Sequence, residues 1–242
     1  MSEIKFADKE VILPGDILAS GMDFIPGDYT FREMDQIIST VIGILNISGR
    51  IINVIPLNGR YMPRRNDLVI GKIVDMHFNG WTIDIGYAYP GNMSLKDATS
   101  DYIEKGADLS QYLNYNDLVV ARVIKVYKSN QIDLTMKGPD LRRLKGGMVV
   151  NISPNKVRRL IGKQGSMISL IKQKTNTIIM VGQNGRIWIH ADDENSIVLA
   201  IRAVEMVDQK AHKSGLTEAI TQFLESETKT TTEQKNDIQQ EI

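Results

Sequence analysis

Residues 141–191 constrain the fold of this 242-residue chain more than any other feature. The segment holds ten Lys or Arg residues and no Asp or Glu, although the whole chain carries 29 basic and 29 acidic residues. At its centre lies Gly162-Lys163-Gln164-Gly165, between two stretches whose sequence predicts helices. A basic segment around a Gly-x-x-Gly turn indicates a surface that binds a phosphate backbone.

The elements predicted around this turn follow the order β-α-α-β-β-α. Pro154 favours a helix start, and the Asn-Gly pair at 184–185 favours a hairpin between two apolar strands. The predicted elements are, in order, 148–152, 154–161, 167–174, 177–181, 186–190 and a long helix with Asp192 as its N-cap. This order predicts a type I KH domain over residues 146–225.

The glycine turn of a KH domain clamps the nucleotide backbone, because glycine lets the sugar-phosphate approach the main chain closely. The residues predicted to bind RNA in this domain are Arg158, Arg159, Gly162, Lys163, Gln164, Gly165 and Lys172. The alternative is a tight turn between two helices that binds nothing. A nucleotide-binding P-loop is excluded, because position 157 is Val where that motif requires Gly.

A second glycine turn, at residues 182–185, also resembles a phosphate loop. Because it joins two apolar strands, we interpret it as a structural hairpin turn. The residues that define it are Gly182, Asn184 and Gly185.

Residues 63–140 read as five short strands, with the longest connection between the third and the fourth, which is the plan of an OB-fold barrel. OB domains bind RNA through stacked aromatic rings and basic side chains. The lower-ranked candidates for RNA contact are Arg64, Arg65, His77, Phe78, Arg122, Lys125 and Lys128, with Trp81, Tyr87 and Tyr89 as further aromatics. The alternatives are that Trp81 packs against a neighbouring module and that the charges are ordinary surface residues.

The two ends of the chain have different compositions. Residues 1–62 are rich in Val, Ile and Gly and predict a small β domain without a long helix. Residues 226–242 have no aromatic and few apolar residues, so a disordered tail is expected there.

The composition also limits the possible functions. The chain has no cysteine, which excludes disulfides, thiol catalysis and thiolate metal sites. No catalytic constellation, metal site or cofactor motif is found, and Asp192-Asp193-Glu194 fits a helix N-terminus better than a Mg²⁺ site. No apolar run reaches the ~18 residues of a membrane span, and no signal peptide is recognised, so a cytoplasmic location is expected.

Three motifs in a fixed order resemble one known family. They are Asn58–Pro63 leading into Asp67–Gly71, then Trp81–Ile85, then Gly182–Ile189. Together they resemble the S1–KH cap subunit of the RNA exosome, the ribosomal-RNA-processing-protein-four family in its archaeal form. The resemblance covers about residues 5–225. It implies an N-terminal β domain over 1–62 and an S1-type barrel over 63–140, followed by the KH domain.

The resemblance also implies a function. Cap subunits of this family are not enzymes: three copies sit on a hexameric ring of RNase-PH-like phosphorolytic subunits and feed single-stranded RNA 3′ ends into its pore. A sister cap subunit carries a cysteine zinc ribbon, and whether the two share one ring is left open. The alternatives are a freestanding S1–KH regulator of transcription or translation and a nuclease in its own right.

Overall fold

The computed structural model describes residues 3–57, 59–99, 108–211 and 215–227. The chain divides into two compact units between Gly59 and Arg60. Across the described residues, no helix is both long enough and apolar enough to cross a membrane.

Eight short strands build the first unit, and residues 3–57 contain no helix. Leu45 and Val54 oppose each other across the two longest strands and are both buried, because alternate residues of a strand face the same side. The two sheets have the orders β1-β3-β6-β5 and β2-β7-β8-β4. The strands are β1 (Glu3–Ile4), β2 (Val11–Ile12), β3 (Ile17–Ser20), β4 (Ile25–Pro26), β5 (Thr30–Glu33), β6 (Gln36–Ser39), β7 (Gly43–Ser48) and β8 (Ile51–Pro56). The predicted small β domain is confirmed.

The second unit begins with a closed barrel, which confirms the predicted OB fold. Its elements are β9 (Leu68–His77), β10 (Gly80–Asp84), β11 (Gly91–Ser94), α1 (Leu95–Ala98), β12 (Leu118–Val126), β13 (Ile132–Thr135) and the short β14 (Arg143–Leu144). The long strand β9 pairs with both β10 and β12. Strand β13 closes the barrel, because it pairs antiparallel with β12 and parallel with β11.

Trp81 lies in the core of this barrel, so both expectations for it were wrong. Its side chain is 1% exposed, and its Nε1 donates a hydrogen bond to the Leu113 carbonyl oxygen at 3.1 Å. It packs with buried barrel residues such as Val69 and Val119. The ring therefore neither stacks on a base nor contacts a neighbouring domain.

The remainder of the second unit has the predicted β-α-α-β-β-α order and confirms the KH fold. Its elements are β15 (Met148–Asn151), α2 (Val157–Ile161), α3 (Ser166–Thr175), β16 (Ile178–Val181), β17 (Arg186–His190), α4 (Glu194–Lys210) and α5 over residues 216–227. The antiparallel sheet has the order β15-β17-β16. Residues from all four helices and from the sheet share one apolar core, which includes Leu160, Ile171, Val204 and Ile220.

Two details at the ends of helices differ from the prediction. Asp193, rather than Asp192, is the N-cap of α4, since its Oδ2 accepts a hydrogen bond from the Ser196 amide at 3.1 Å. Helix α5 runs to residue 227, so the first two residues of the predicted disordered tail are helical. The rest of that tail, residues 228–242, lies outside the described residues.

Candidate nucleic-acid interface

The glycine turn between α2 and α3 presents two polar side chains on a tightly bent backbone. Gly162 has a φ of 74°, and a Cβ atom there would lie 2.8 Å from the Met167 amide nitrogen. Gly165 has a φ of 81° and faces open space, so its backbone angle rather than crowding favours glycine. Lys163 and Gln164 lie between them and are exposed. The turn can therefore present the side chains of Lys163 and Gln164 to a ligand that lies close to its backbone.

Half of the basic residues between 141 and 191 form an ion pair or a hydrogen bond within the second unit. These residues are Arg143 on Asp117 (2.7 Å), Lys156 on Asp208 (3.3 Å), Lys174 on Glu225 (3.1 Å), Arg186 on Asp84 (2.6 Å) and Arg159 on the Ala211 carbonyl oxygen (3.0 Å). The others form no ion pair with a described residue, namely Arg142, Lys145, Arg158, Lys163 and Lys172. Lys163 lies in the glycine turn and Arg158 in the short helix α2 before it, whereas Lys172 lies in the last turn of α3. Two of the cations available to a phosphate group therefore lie in the turn or next to it.

Arg159 and Lys156 have a structural task that the sequence does not reveal. Lys156 Nζ donates to the Asp208 carbonyl oxygen at 2.8 Å, and Arg159 Nε donates to that of Ala211. These carbonyls lie in the last turn and at the C-cap of α4, where cations are favourable. Both side chains therefore fix the end of α4, and RNA contact by Arg159 stays a prediction.

The basic and aromatic residues predicted for the barrel lie in separate places. Arg64 and Arg65 are exposed in the turn before β9, and Arg122 lies beside them, since the Asn66 amide donates to the Val123 carbonyl oxygen at 2.8 Å. These three arginines form one group at the start of β9.

The other predicted barrel residues belong to two hairpins. His77 and Phe78 lie at the hairpin between β9 and β10, where the Phe78 ring is 87% exposed. Lys125 and Lys128 lie at the hairpin between β12 and β13 and are both exposed. The structure thus brings some of the predicted residues together, but it does not gather them all into one patch.

A row of polar side chains crosses the outer face of the barrel. Each member is the register partner of the next across five strands: Asp75, Thr82, Asn92, Asp133 and Lys125. The residues beside Thr82, Asn92 and Asp133 along their strands face inward and are buried, including Trp81, Met93, Ile132 and Leu134. The neighbours of the two end members are more exposed, as at Val74 (45%) and Val126 (37%). We call this set the polar row.

Two tyrosines that were not predicted lie at the ends of the polar row. The Tyr115 hydroxyl donates to Asp75 Oδ1 at 3.4 Å. At the other end, Lys125 Nζ lies 4.3 Å from the centroid of the Tyr127 ring, and a hydrogen bond with Asp133 raises the pKa of Tyr127. The row therefore has an aromatic ring at each end, whereas the predicted Tyr87 and Tyr89 lie together in the loop after β10.

The second glycine turn fastens the KH domain to the barrel. Asn184 is 7% exposed, and its side chain bonds both the amide and the carbonyl oxygen of Ile70 and also donates to the Ile85 carbonyl oxygen at 2.9 Å. Beside it, Gln183 makes two hydrogen bonds with the backbone of Leu68, at 2.7 and 2.9 Å. The turn thus pairs with β9 much as another strand would.

An ion pair and an apolar contact reinforce this junction. Arg186 donates to the Asp84 carboxylate at 2.6 Å and to its carbonyl oxygen at 2.7 Å. Burial disfavours the charged form of Asp84, but hydrogen bonds from Arg186 and Gly86 and the nearby cations outweigh it, so the pKa of Asp84 lies below its ordinary value. Trp188 packs against Ile70 and Val120 of the barrel in a small core of its own. The barrel and the KH domain are therefore joined by specific hydrogen bonds, an ion pair and an apolar contact.

The first unit carries an exposed apolar surface. Val11, Ile44 and Ile55 are register partners across β2, β7 and β8, and a second row lies two residues along the same segments of chain. The members with their exposed fractions are Val11 (57%), Leu13 (54%), Ile42 (42%), Ile55 (54%) and Leu57 (42%), with Ile44 partly buried between them. We call this the N-terminal apolar face. Apolar groups this concentrated on a surface mark an interaction site.

Comparison with known families agrees with this architecture. The pattern of the KH domain matches residues 147–195, and that of the N-terminal domain of the exosome RNA-binding protein RRP4 matches residues 9–58. The crystal structure of an exosome complex RNA-binding protein superposes with a TM-score of 0.66 at 33% identity, and it covers 72% of this chain and 99% of its own.

Curated relatives cover nearly the whole chain. Exosome complex component Rrp4 of Thermococcus kodakarensis is 44% identical over 227 residues, which are 93% of this chain and 88% of the relative. That of Pyrococcus abyssi is 43% identical over 93% of this chain and 85% of its own length. That of Methanothermus fervidus is 39% identical over 90% of this chain and 96% of its own. On this identity and coverage, the chain belongs to the Rrp4 family of exosome complex components.

Proposed function

We propose that this chain is a non-catalytic RNA-binding cap subunit of the exosome. It captures single-stranded RNA and passes the 3′ end to a ring of phosphorolytic 3′→5′ exonuclease subunits. The observation that carries the proposal is the exposed Gly162–Gly165 turn, with the cation of Lys163 in it and that of Arg158 in the helix before it, in a KH domain fixed to an OB barrel. Cations around an exposed turn of this kind suit a phosphate backbone without selecting a sequence.

The proposed tasks follow the predicted domains. Residues 63–140 and 146–225 bind RNA, and the junction at Asn184 holds their two surfaces at a fixed distance. Two weak sites on one rigid body bind a chain more tightly than either does alone, because the second contact becomes intramolecular. The same effect, applied to RNA held near the pore, raises the efficiency of degradation without any catalytic group on this chain.

Residues 1–62 supply the attachment to the ring. The N-terminal apolar face has the exposed apolar side chains that a protein interface buries, whereas RNA offers few apolar partners for such a surface. We therefore assign the ring as its occupant. Three copies per ring, sharing of cap positions with the zinc-ribbon cap subunit, and a cytoplasmic location belong to the same proposal.

Degradation assays across RNA lengths test this function. The purified ring is assayed with and without this chain, on RNAs long enough to reach the cap and on RNAs too short to do so. A tethering cap lowers the apparent Michaelis constant and increases processivity on the long RNAs alone. Equal stimulation on the shortest RNAs would show that the chain alters catalysis in the ring, and RNA cleavage by the chain alone would make it a nuclease.

A further inference from the structure

We propose that the polar row on the barrel selects bases by their hydrogen-bonding edge, favouring cytosine over uracil. This inference deepens the proposed function, because it takes RNA binding by the barrel as given. The row consists of Asp75, Thr82, Asn92, Asp133 and Lys125, one from each of five strands.

The composition of the row suits bases better than phosphates. Two of its five side chains are carboxylates, which repel a phosphate backbone lying directly on them. A base edge carries no net charge and can donate hydrogen bonds to a carboxylate. The backbone of a bound strand is therefore expected to run along the rim, where Lys128 is exposed beside the hairpin of Tyr127.

Aromatic rings at both ends of the row provide stacking surfaces. Tyr115 is 50% exposed beside Asp75, and Tyr127 lies beside Asp133. Phe78, at the neighbouring hairpin, is 87% exposed. Stacking of bases on such rings is tolerant of sequence, so these rings hold a base without choosing it. The hydrogen-bonding groups between the rings therefore select the base.

Those groups retain unused capacity. Asp75 accepts from Tyr115 and from the Met76 amide at 2.8 Å, and its Oδ2 lies 3.4 Å from His77 Nε2. Asp133 accepts from Gln131 at 3.3 Å and from Tyr127. An ionised carboxylate can accept about four hydrogen bonds, so both retain room for a donor from a base. The exposed Asn92 carboxamide between them makes no hydrogen bond with a described residue.

The two pyrimidines differ in what they offer to these groups. Cytosine presents an exocyclic amino group, which is a favourable donor to a carboxylate or to an amide oxygen. Uracil presents a carbonyl oxygen at the same position, which carboxylate acceptors cannot bond. Its N3–H is the single donor on that edge, against the two N–H bonds of the cytosine amino group. Because the two rings stack similarly, the amino group is the feature that the row distinguishes.

Binding of matched homopolymers tests the inference. Fluorescently labelled oligocytidine and oligouridine of about 12 nucleotides, a length suited to one OB fold, are titrated with the full chain in anisotropy measurements at neutral pH. We expect oligocytidine to bind about fivefold or more tightly, the lower end of the discrimination from one good base contact. The variants N92A and D133N should bring this ratio close to one.

Asp140→Asn is the matched control, because Asp140 is an exposed acid outside the row. It removes the same charge as D133N and should leave the ratio of the two affinities unchanged. Equal affinities in the unmodified chain, or a ratio that D133N leaves unchanged, would overturn the inference while RNA binding stands. Failure of both RNAs to bind would overturn the proposed function itself. Thermal unfolding of each variant checks that the barrel is intact.

Discussion

Asn184 bonds the backbone of Ile70 in both directions: its Oδ1 accepts from the Ile70 amide at 3.2 Å, and its Nδ2 donates to the Ile70 carbonyl oxygen at 2.8 Å. A carboxamide has the same donor and acceptor as a peptide group, so it replaces the missing neighbour of β9 at this position. Gly182 is required beside it, since a Cβ atom there would lie 2.9 Å from the Ile70 amide nitrogen. The turn is therefore built for contact with the barrel.

Replacing Asn184 with Ala should destabilise the second unit. The substitution leaves the Ile70 amide and the carbonyl oxygens of Ile70 and Ile85 without these partners in a buried place. A buried polar group left unpaired costs about 1–3 kcal/mol of unfolding free energy. Chemical denaturation measures the loss, and Asn155→Ala at an exposed position is the control. Equal stability of the two variants would show that water replaces the Asn184 contacts at no cost.

The ion pair at the same junction should make stability depend on pH. The folded state lowers the pKa of Asp84, so its charged form stabilises the fold above the ordinary carboxyl pKa of ~3.9. This contribution is lost as the pH falls through the lower, folded-state pKa.

Denaturation of the unmodified chain and of Asp84→Asn across acidic pH measures this contribution. The unmodified chain should be the more stable near neutral pH, and the difference should shrink below about pH 4. The exposed Asp140→Asn variant again serves as the control. A difference that is constant with pH would mean that the charge of Asp84 contributes nothing.

The sequence predicted those features that depend on local signals. Glycine turns, apolar periodicity and the Pro154 helix start lie within a few residues of the elements they define, and the strand and helix order of both domains follows from them. The direction of the Trp81 side chain could not be predicted in this way. Side chains alternate between the two faces of β10, so the sequence alone allows Trp81 to point inward or outward. Only closure of the barrel, which brings Leu113 next to Trp81, shows that it points inward.

Two features of the candidate site could not be predicted from local sequence, because each depends on residues that are far apart in the chain. The partner of Arg159 lies 52 residues away, at the end of α4, so its charge looked available in the sequence. The polar row depends on the pairing of β11 with β13, whose register partners Asn92 and Asp133 are far apart in the chain.

Reversing the charge of the glycine turn should weaken RNA binding without unfolding the protein. Lys163→Asp with Gln164→Asp puts two carboxylates where a phosphate group would bind, and this removes charge-assisted hydrogen bonds of about 1.5–3 kcal/mol. Affinity for single-stranded RNA should fall by about tenfold or more, while the unfolding free energy changes within about 0.5 kcal/mol. Lys9→Asp, at an exposed residue of the first unit, is the control in the same anisotropy assay. If RNA affinity were unchanged, the turn would only connect two helices.

The neighbouring arginines should behave differently from each other. Arg158→Gln removes a cation that forms no ion pair with a described residue, so the slope of log affinity against log salt should flatten by about 0.7 for each phosphate that the chain no longer neutralises. Arg159→Gln removes the donor to the Ala211 carbonyl oxygen and should chiefly lower the unfolding temperature. Titrations at several salt concentrations, together with thermal unfolding of both variants, separate the two effects. A change in salt slope for Arg159→Gln and none for Arg158→Gln would reverse this assignment.

The N-terminal apolar face permits a closely matched test of ring attachment. Ile55 belongs to the apolar face and is 54% exposed, whereas Phe31 is 43% exposed and lies on β5 of the other sheet. Ile55→Asp places a charge in the proposed interface and should weaken binding to the ring by about 2 kcal/mol, which is a typical loss at an interface hot spot. Phe31→Asp should bind the ring as the unmodified chain does.

Co-elution of each variant with the ring in size-exclusion chromatography, followed by titration, measures this difference. RNA affinity of the isolated chain should be the same for both variants, because the substitutions lie outside the proposed RNA-binding domains. Their unfolding free energies should change by similar amounts, since both side chains are exposed. Equal ring affinity for the two variants, or a loss confined to Phe31→Asp, would show that another surface of the chain attaches it to the ring.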